Sequence, residues 1–485
     1  MVVVLHSRSF YLYCGVVAIV LLLAFSFTTP RQAALPTSAI CKVLPTVSDD
    51  FEVTACRQDS YCNALDLIIT RKSASQCSEI EEQMRKQPVS SDPKLSDFVR
   101  GSLGPDGFMI VVDGAERMAR YVPDAYLGGC SYRFSLRFNN AGPMSLQIWH
   151  HYETYFSYWE NNMEWPPQAT ERVMLRSPLY LEACVSCRSF VAPPSGVNAT
   201  LLIAPPTAQP QPACSTSEPV YGSYIPVSYM ETHNSLFNFY EPLPANQNAY
   251  KFVPAGNCQY THDGLRYTKH DGCFSQQKSS VLLHGDSHQR VLYDGLVHRL
   301  SGQQWTLDES EKSGHKNATF DNLYLDFQWD PSGEGLLVLD CAEIQAFDVL
   351  VFSVGHHLHR YTTAQYFEFI GGAFEHVTKL SAECHPSSGR SRQLVYVTPP
   401  AVVPREDHFV QDLKDRRTNV RITHWANIGM NLARKHGWRT VDQFHYTAAF
   451  VRDSKDDAHF LETDALDAVL DDFIAKLGVC EPPPS

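Results

Sequence analysis

From residue 279 to the C-terminus, short apolar runs alternate with amphipathic stretches, and this alternation constrains the fold more than any other feature of the chain. "SSVLLHGDS" reads as a buried strand, "HQRVLYDGLVHRL" as a helix, and "NLYLDFQW", "FDVLVFSVG" and "RQLVYVTPP" as further strands. "NVRITHWANIGMNLARKHG" reads as a helix that stops at a glycine cap before a strand "TVDQF". Near the end, Leu466, Val469, Leu470, Phe473, Ile474 and Leu477 recur at helical spacing. Strands that alternate with helices predict an α/β domain with a mostly parallel sheet covered on both faces. Sites in such folds lie beyond the carboxyl ends of the strands.

The rest of the 485 residues is enough for a second core and divides by texture. Residues 10–27, "FYLYCGVVAIVLLLAFSF", carry no charge and are long enough to cross a hydrocarbon core. The run has no clean small-x-small cleavage site beside it, so residues 1–30 are read as a retained signal anchor in preference to a cleaved signal peptide. Either reading sends the chain into the secretory path. Residues 31–105 are polar and carry cysteines, as a stem would. Residues 106–192 hold short alternating runs, among them "GFMIVVDG", "SYRFSLRF" and "MSLQIWHHY", divided by turn residues, which predicts a small β-sandwich-like domain. Residues 193–219 contain seven prolines and little charge, as an extended linker does. The α/β domain then occupies 220–485.

The formal net charge of −13, with no Lys/Arg run, excludes a nucleic-acid partner. Fourteen cysteines suit an oxidising compartment and several disulfides, and "CVSC" at Cys184 and Cys187 is read as structural because no second CxxC accompanies it. Asn198 and Asn317 open Asn-x-Thr sequons, in keeping with lumenal exposure and glycosylation.

Ser287 stands where the first strand of the α/β domain ends and a helix begins. Free backbone N–H groups and the helix dipole favour negative charge there, so an oxyanion formed by attack on an ester would find donors. Taken locally, Asp286 and Ser287 are better read as helix caps. The balance changes with "DDAHF", where Asp456 and His459 lie three residues apart just before the last helix, spaced for a carboxylate to steer an imidazole that serves as base to a serine. Asp457 is a lesser rival to Asp456. Asp442 and His445 in "DQFH" have the same spacing, but their place at a buried strand favours a structural role.

With GDS after the first strand and DxxH before the last helix, residues 245–480 resemble the SGNH, or GDSL-like, acyl esterases. "GDSHQR", "FDVLVFSVGHH" and "KDDAHF", with a cysteine-bearing lead-in that includes Cys258 and Cys273, are similar to the PC-esterase branch. That branch holds the trichome-birefringence-like proteins, the capsule and sialic-acid O-acetyltransferases and the neurexophilin-and-PC-esterase-domain proteins. The resemblance implies a three-layer SGNH-hydrolase-like fold, with Ser287 as nucleophile, His459 as general base and then acid, and Asp456 holding the His tautomer. It implies oxyanion donors at the Ser287 N–H and in the turn at Gly355. His357 occupies the place where simpler members carry a donating Asn. Arg290, one helical turn after Ser287, is either a contact to substrate or acidic groups of the site or a surface ion pair. The histidines of "HHLH", with His284 and His288, suggest a metal only weakly, because no carboxylate cluster accompanies them and triad chemistry needs no metal.

The function implied is a serine-dependent O-acyl transfer, acetyl foremost, onto glycan or polysaccharide hydroxyls. A glycan O-acetyl esterase with the same triad is the alternative, and a catalytically silent secreted or surface binding protein is another. No resident cofactor is expected. The acyl donor is open between acetyl-CoA and an acetylated intermediate, delivered by a separate supplier because no multi-span delivery domain is present. The expected place is the Golgi membrane, single-pass type II with a lumenal domain, with secretion or the cell surface as the alternative.

Overall fold

The computed structural model describes residues 40–57, 64–138, 140, 142–160, 172–181, 214–228, 249–254, 258, 260, 278–301, 314–320, 322–403, 417–454, 458–461 and 463–477. The apolar run at 10–27, the "CVSC" pair, Cys273, Asn198, Asp456 and Asp457 lie outside them. Among the described residues no helix is long and apolar enough to cross a membrane. The described chain is a mixed α/β structure with several sheets.

Two antiparallel sheets face one another in the N-terminal part. One has the order β1-β2-β3-β7-β6, formed by Ile40–Leu44, Phe51–Arg57, Ala64–Arg71, Ser131–Arg137 and Ala125–Gly128. The other has the order β5-β4-β8-β9, formed by Met118–Arg120, Gly107–Gly114, Gly142–Tyr152 and Arg172–Leu181. Phe51, Val53, Leu67 and Ile69 of the first sheet share one apolar core with Phe108, Ile110, Val112 and Ile148 of the second. Residues 40–71, expected in a stem, therefore supply three of the first sheet's strands. The alternating Phe51, Val53 and Ala55 of β2 point one way and pair in register with β3, which pairs with β7 some sixty residues later. Helices α1 (Ala74–Lys86) and α2 (Pro93–Phe98) connect the two sheets. Disulfides Cys41–Cys56 and Cys77–Cys130 tie this part of the chain.

Strand β4 explains why "GFMIVVDG" lacks a polar face. Phe108, Ile110 and Val112 enter the core between the two sheets, whereas Met109 and Val111 belong to the apolar core of the C-terminal part. A strand buried on both faces reads as a continuous apolar run.

In the C-terminal part, a six-stranded sheet has the order β13-β14-β12-β15-β16-β17, from Lys316–Phe320, Leu323–Trp329, Ser279–Gly285, Val349–Ser353, Gln393–Val397 and Arg439–Val441. All neighbours pair in parallel except the edge strand β13. A separate antiparallel pair is formed by β10 (Gly222–Pro226) and β11 (Tyr250–Pro254). Helices α3 (Ser287–Ser301), α4 (Cys341–Ile344), α5 (Thr363–Glu383), α6 (Asn419–Lys435), α7 (Gln443–Thr447) and α8 (Asp464–Leu477) complete it. Helix α3 packs with α8 and α5 packs with α6.

Helix α3 approaches α8 closely, a Cβ added at Gly295 lying 2.8 Å from Leu470, and α6 approaches strand β16, a Cβ added at Gly429 lying 2.2 Å from the Tyr396 hydroxyl. As the sequence predicts, α6 ends at a glycine, Gly437, with φ +77°. The expected strand "TVDQF" stops at Val441, because the Asp442 side chain accepts from the His445 N–H and starts α7 instead. The last residues of the expected linker are docked: Cys214 is bonded to Cys258, and buried Lys476 donates to the Ser215 and Glu218 carbonyls (2.5 Å each). A fourth disulfide joins Cys341 to Cys384.

Candidate active site

The first parallel strand, β12, has β14 on one side and β15 on the other, so the chain switches direction across the sheet there. The carboxyl end of such a switch point opens a crevice, and in doubly wound sheets ligands bind in it. Gly285 and Ser353 are partners in the β12–β15 register, so the turns that follow the two strands lie side by side. The approach leaves no room for a side chain: a Cβ on Gly285 would lie 2.3 Å from the Ser353 carbonyl oxygen. This is the physical reason for the glycine of "GDS". At Gly355 the obstacle is Pro399, whose Cγ would be 2.7 Å from an added Cβ.

Asp286 is buried, and its carboxylate accepts from the His288 N–H at 2.9 Å. The capping expected from the local sequence is thus present and falls to Asp286. Ser287 opens α3 and is only part-buried, while Asp286, His288 and Gln289 around it are buried. Burial pushes the Asp286 carboxyl up, against the lowering pull of His357, of the His288 N–H and of His459.

His459 is part-buried, and its ring centroid lies 4.9 Å from that of His288, the residue next to Ser287. The His288 ring in turn lies 4.3 Å from that of His356. The loop before the last helix is thus brought to the turn after β12. Its path is fixed at one point by the Ser454 hydroxyl, which donates to the His459 carbonyl at 2.7 Å.

Gly355 is buried at the start of a short 3-10 turn, His356–Leu358, beside the Ser287 turn. His357 is exposed, with its ring 6.1 Å edge-on from Trp329 at the end of β14. Arg290 is part-buried and near Asp294, whose carboxyl burial pushes up against the lowering pull of Lys316 and of Arg290. Asn317 is exposed on edge strand β13.

The rival pair is occupied with structure. The Asp442 carboxylate caps α7 and accepts from the Thr398 hydroxyl (3.2 Å), and His445 Nε2 faces the Gly222 carbonyl at 3.1 Å. His284, penultimate in β12, pairs with Asp330 at 3.0 Å, and Asp330 also accepts from the Gly333 and Gly335 N–H groups, which shapes the turn after β14.

Sequence reasoning missed the buried support behind the Gly355 turn. Glu160 accepts from the Thr363 N–H (2.7 Å), from the Thr363 hydroxyl and from Arg421 Nε (3.3 Å). Arg421 stacks over Trp425 and donates to the carbonyls of His359 and Tyr361, just after the turn. Glu160 stands more than two hundred positions before Thr363 and Arg421, and no local pattern announces the cluster.

His356 supplies a pH prediction. Its Nε2–H donates to the Pro400 carbonyl at 2.9 Å, yet burial, with Arg417 nearby, pushes the ring from its ordinary 6.5 down to about 3. His288 is pushed well below its ordinary value by burial and by its histidine neighbours. Between pH 6.5 and about 3 the unfolded chain binds protons at these rings that the folded protein does not, so stability falls as pH drops through that window. At about 1.4 kcal/mol for each tenfold change in proton affinity, the loss is on the order of a few kcal/mol. Urea unfolding at pH 7.5 and pH 5 should show it, and His356→Gln should flatten the dependence. An unchanged slope in the variant would contradict the assignment.

No family model and no curated protein matches the chain. Among solved structures it is similar to Est24, a carbohydrate acetylesterase from Sinorhizobium meliloti, with 15% sequence identity and a TM-score of 0.29. The match covers 41% of this chain and 98% of that one.

Proposed function

We propose that this chain is an SGNH-type acyl-transfer enzyme of the PC-esterase branch, moving an acyl group, acetyl foremost, onto glycan hydroxyls through an acyl-serine. The observation that supports this reading most is convergence. A part-buried serine stands at the switch-point end of β12, and the histidine from the loop before α8 arrives with its ring 4.9 Å from the ring of the serine's neighbour.

In this reading the Ser287 hydroxyl attacks the acyl carbonyl and its proton passes to His459. The oxyanion is held by the backbone N–H of Ser287 at the start of α3, by Gly355 and by His357. The intermediate collapses as His459 returns the proton to the leaving group. His459 then takes a proton from the incoming sugar hydroxyl, whose oxygen attacks the acyl carbonyl, and returns it to Ser287 Oγ as the acyl–serine bond breaks and the sugar carries the acyl group away. Asp456 would orient His459. Arg290 would contact substrate or the acidic groups of the site. With water as acceptor the same steps make an esterase.

The apolar run at 10–27 would anchor the chain in the Golgi membrane as a single-pass type II protein with its sites in the lumen, and Asn198 and Asn317 would carry glycans. A separate protein would supply the donor, acetyl-CoA or an acetylated intermediate, and no resident cofactor or nucleic acid takes part. The full chain should therefore add acetyl groups to members of a glycan panel given acetyl-CoA or an acetylated donor, or else release acetate from O-acetylated glycans. Prior treatment with a fluorophosphonate should abolish either activity. No transfer and no release across both panels would overturn the reading and leave a binding protein.

A further inference from the structure

The stretch leading to His459 begins with a 3-10 turn at Ala448–Phe450, and residues of the N-terminal sheets close upon it. Just outside β5, the Tyr121 hydroxyl donates to the Ala448 carbonyl at 3.0 Å and Arg117 Nε donates to the Ala449 carbonyl at 3.1 Å. The Arg117 guanidinium also lies 4.3 Å over the Phe450 ring and pairs with Asp453 at 2.6 Å. Next in the chain, Arg452 lies 4.0 Å over the ring of Trp149 on β8. One residue beyond Asp453 is Ser454, whose hydroxyl donates to the His459 carbonyl.

Arg117 is itself fixed. Its N–H donates to the Tyr224 carbonyl (2.8 Å) and its carbonyl accepts from the Tyr224 N–H (3.2 Å), so its backbone is clamped to β10. Only 13% of its side chain is exposed. Contacts to two successive carbonyls fix the path of the backbone whatever side chains it carries.

We infer that the N-terminal β-sheets are a positioning device for the reaction, and that Arg117 is the positioning residue through which they set His459 at the mouth of the site. This rests on the function proposed above. A base displaced by about 1 Å from its working position costs on the order of a hundredfold in rate, so the contact is worth far more to catalysis than to adhesion.

The test uses the full chain with p-nitrophenyl acetate as probe, assayed well below each variant's unfolding midpoint, together with the rate of fluorophosphonate labelling at Ser287. Arg117→Met should lower kcat and the labelling rate together by about ten- to a hundredfold, with KM within about twofold, and should move the acid limb of the kcat profile. Arg117→Lys, which keeps the charge opposite Asp453, should recover most of the loss. Should Arg117→Met not fold, Asp453→Asn is read by the same criteria. Wild-type kcat and pH profile in the folded variant, or a rise in KM alone, would overturn the inference while Ser287 labelling of the parent left the proposed function standing. No Ser287-dependent labelling in the parent would overturn both.

Discussion

Ser287→Ala and His459→Ala should each lower kcat on an acetyl ester by about 10⁴- to 10⁶-fold, and the double variant should be no worse than the more damaged single one. The reason is that nucleophile and base act as a unit: an alcohol without a proton acceptor is a poor nucleophile at neutral pH, and an acceptor without the alcohol has nothing to activate. Neither substitution should unfold the protein. Ser287 and His459 are both part-buried, and the cap of α3 is supplied by Asp286, which stays in place. Steady-state kinetics with p-nitrophenyl acetate, checked by circular dichroism, measures the effect. Multiplicative losses in the double variant, or a loss under tenfold in either single one, would show that the two residues do not share a mechanism.

Glu160→Gln should lower stability by several kcal/mol, on the order of the cost of leaving a buried charge without its counterion. Glu160 and Arg421 have essentially no exposed side chain, and the carboxylate accepts three hydrogen bonds, two of them from Thr363 at the start of α5. The amide keeps the shape but removes the countercharge. Arg421 is then left charged and buried, a situation that costs about 3–5 kcal/mol. In a domain of this size that lowers the unfolding midpoint by about 10 °C. Because Arg421 also holds the His359 and Tyr361 carbonyls, activity should fall with stability. Scanning calorimetry settles the first point, and a midpoint within about 2 °C of wild type, well short of that shift, would contradict it.

Much of the C-terminal architecture is legible in the sequence because its signals are local. Buried parallel strands appear as apolar runs, the glycine after α6 adopts positive φ, and the apolar positions of α8 keep helical spacing. The N-terminal sheets are only half legible. Strands β1 to β3 carry enough polar residues on their outer face to resemble a stem, and their partner β7 arrives only after two helices. Long-range pairing of this kind leaves no local trace.

The site divides in the same way. Gly285, Asp286 and Ser287 announce themselves by a strand that stops at a glycine. Glu160, Arg421 and Arg117 do not, since their roles exist only after distant segments meet. Nor does a string of letters announce that His288 and His356 are buried rings packed on one another.

Whether the hydroxyl of Ser287 is an activated nucleophile decides the proposed chemistry. Treating the intact protein with a fluorophosphonate, digesting it and locating the adduct by mass spectrometry tests this most directly. The expected result is a single stoichiometric adduct on Ser287 that forms at least about a hundred times more slowly in His459→Ala, since the base that activates the alcohol is gone. An adduct on another serine, or none in folded protein, would contradict it.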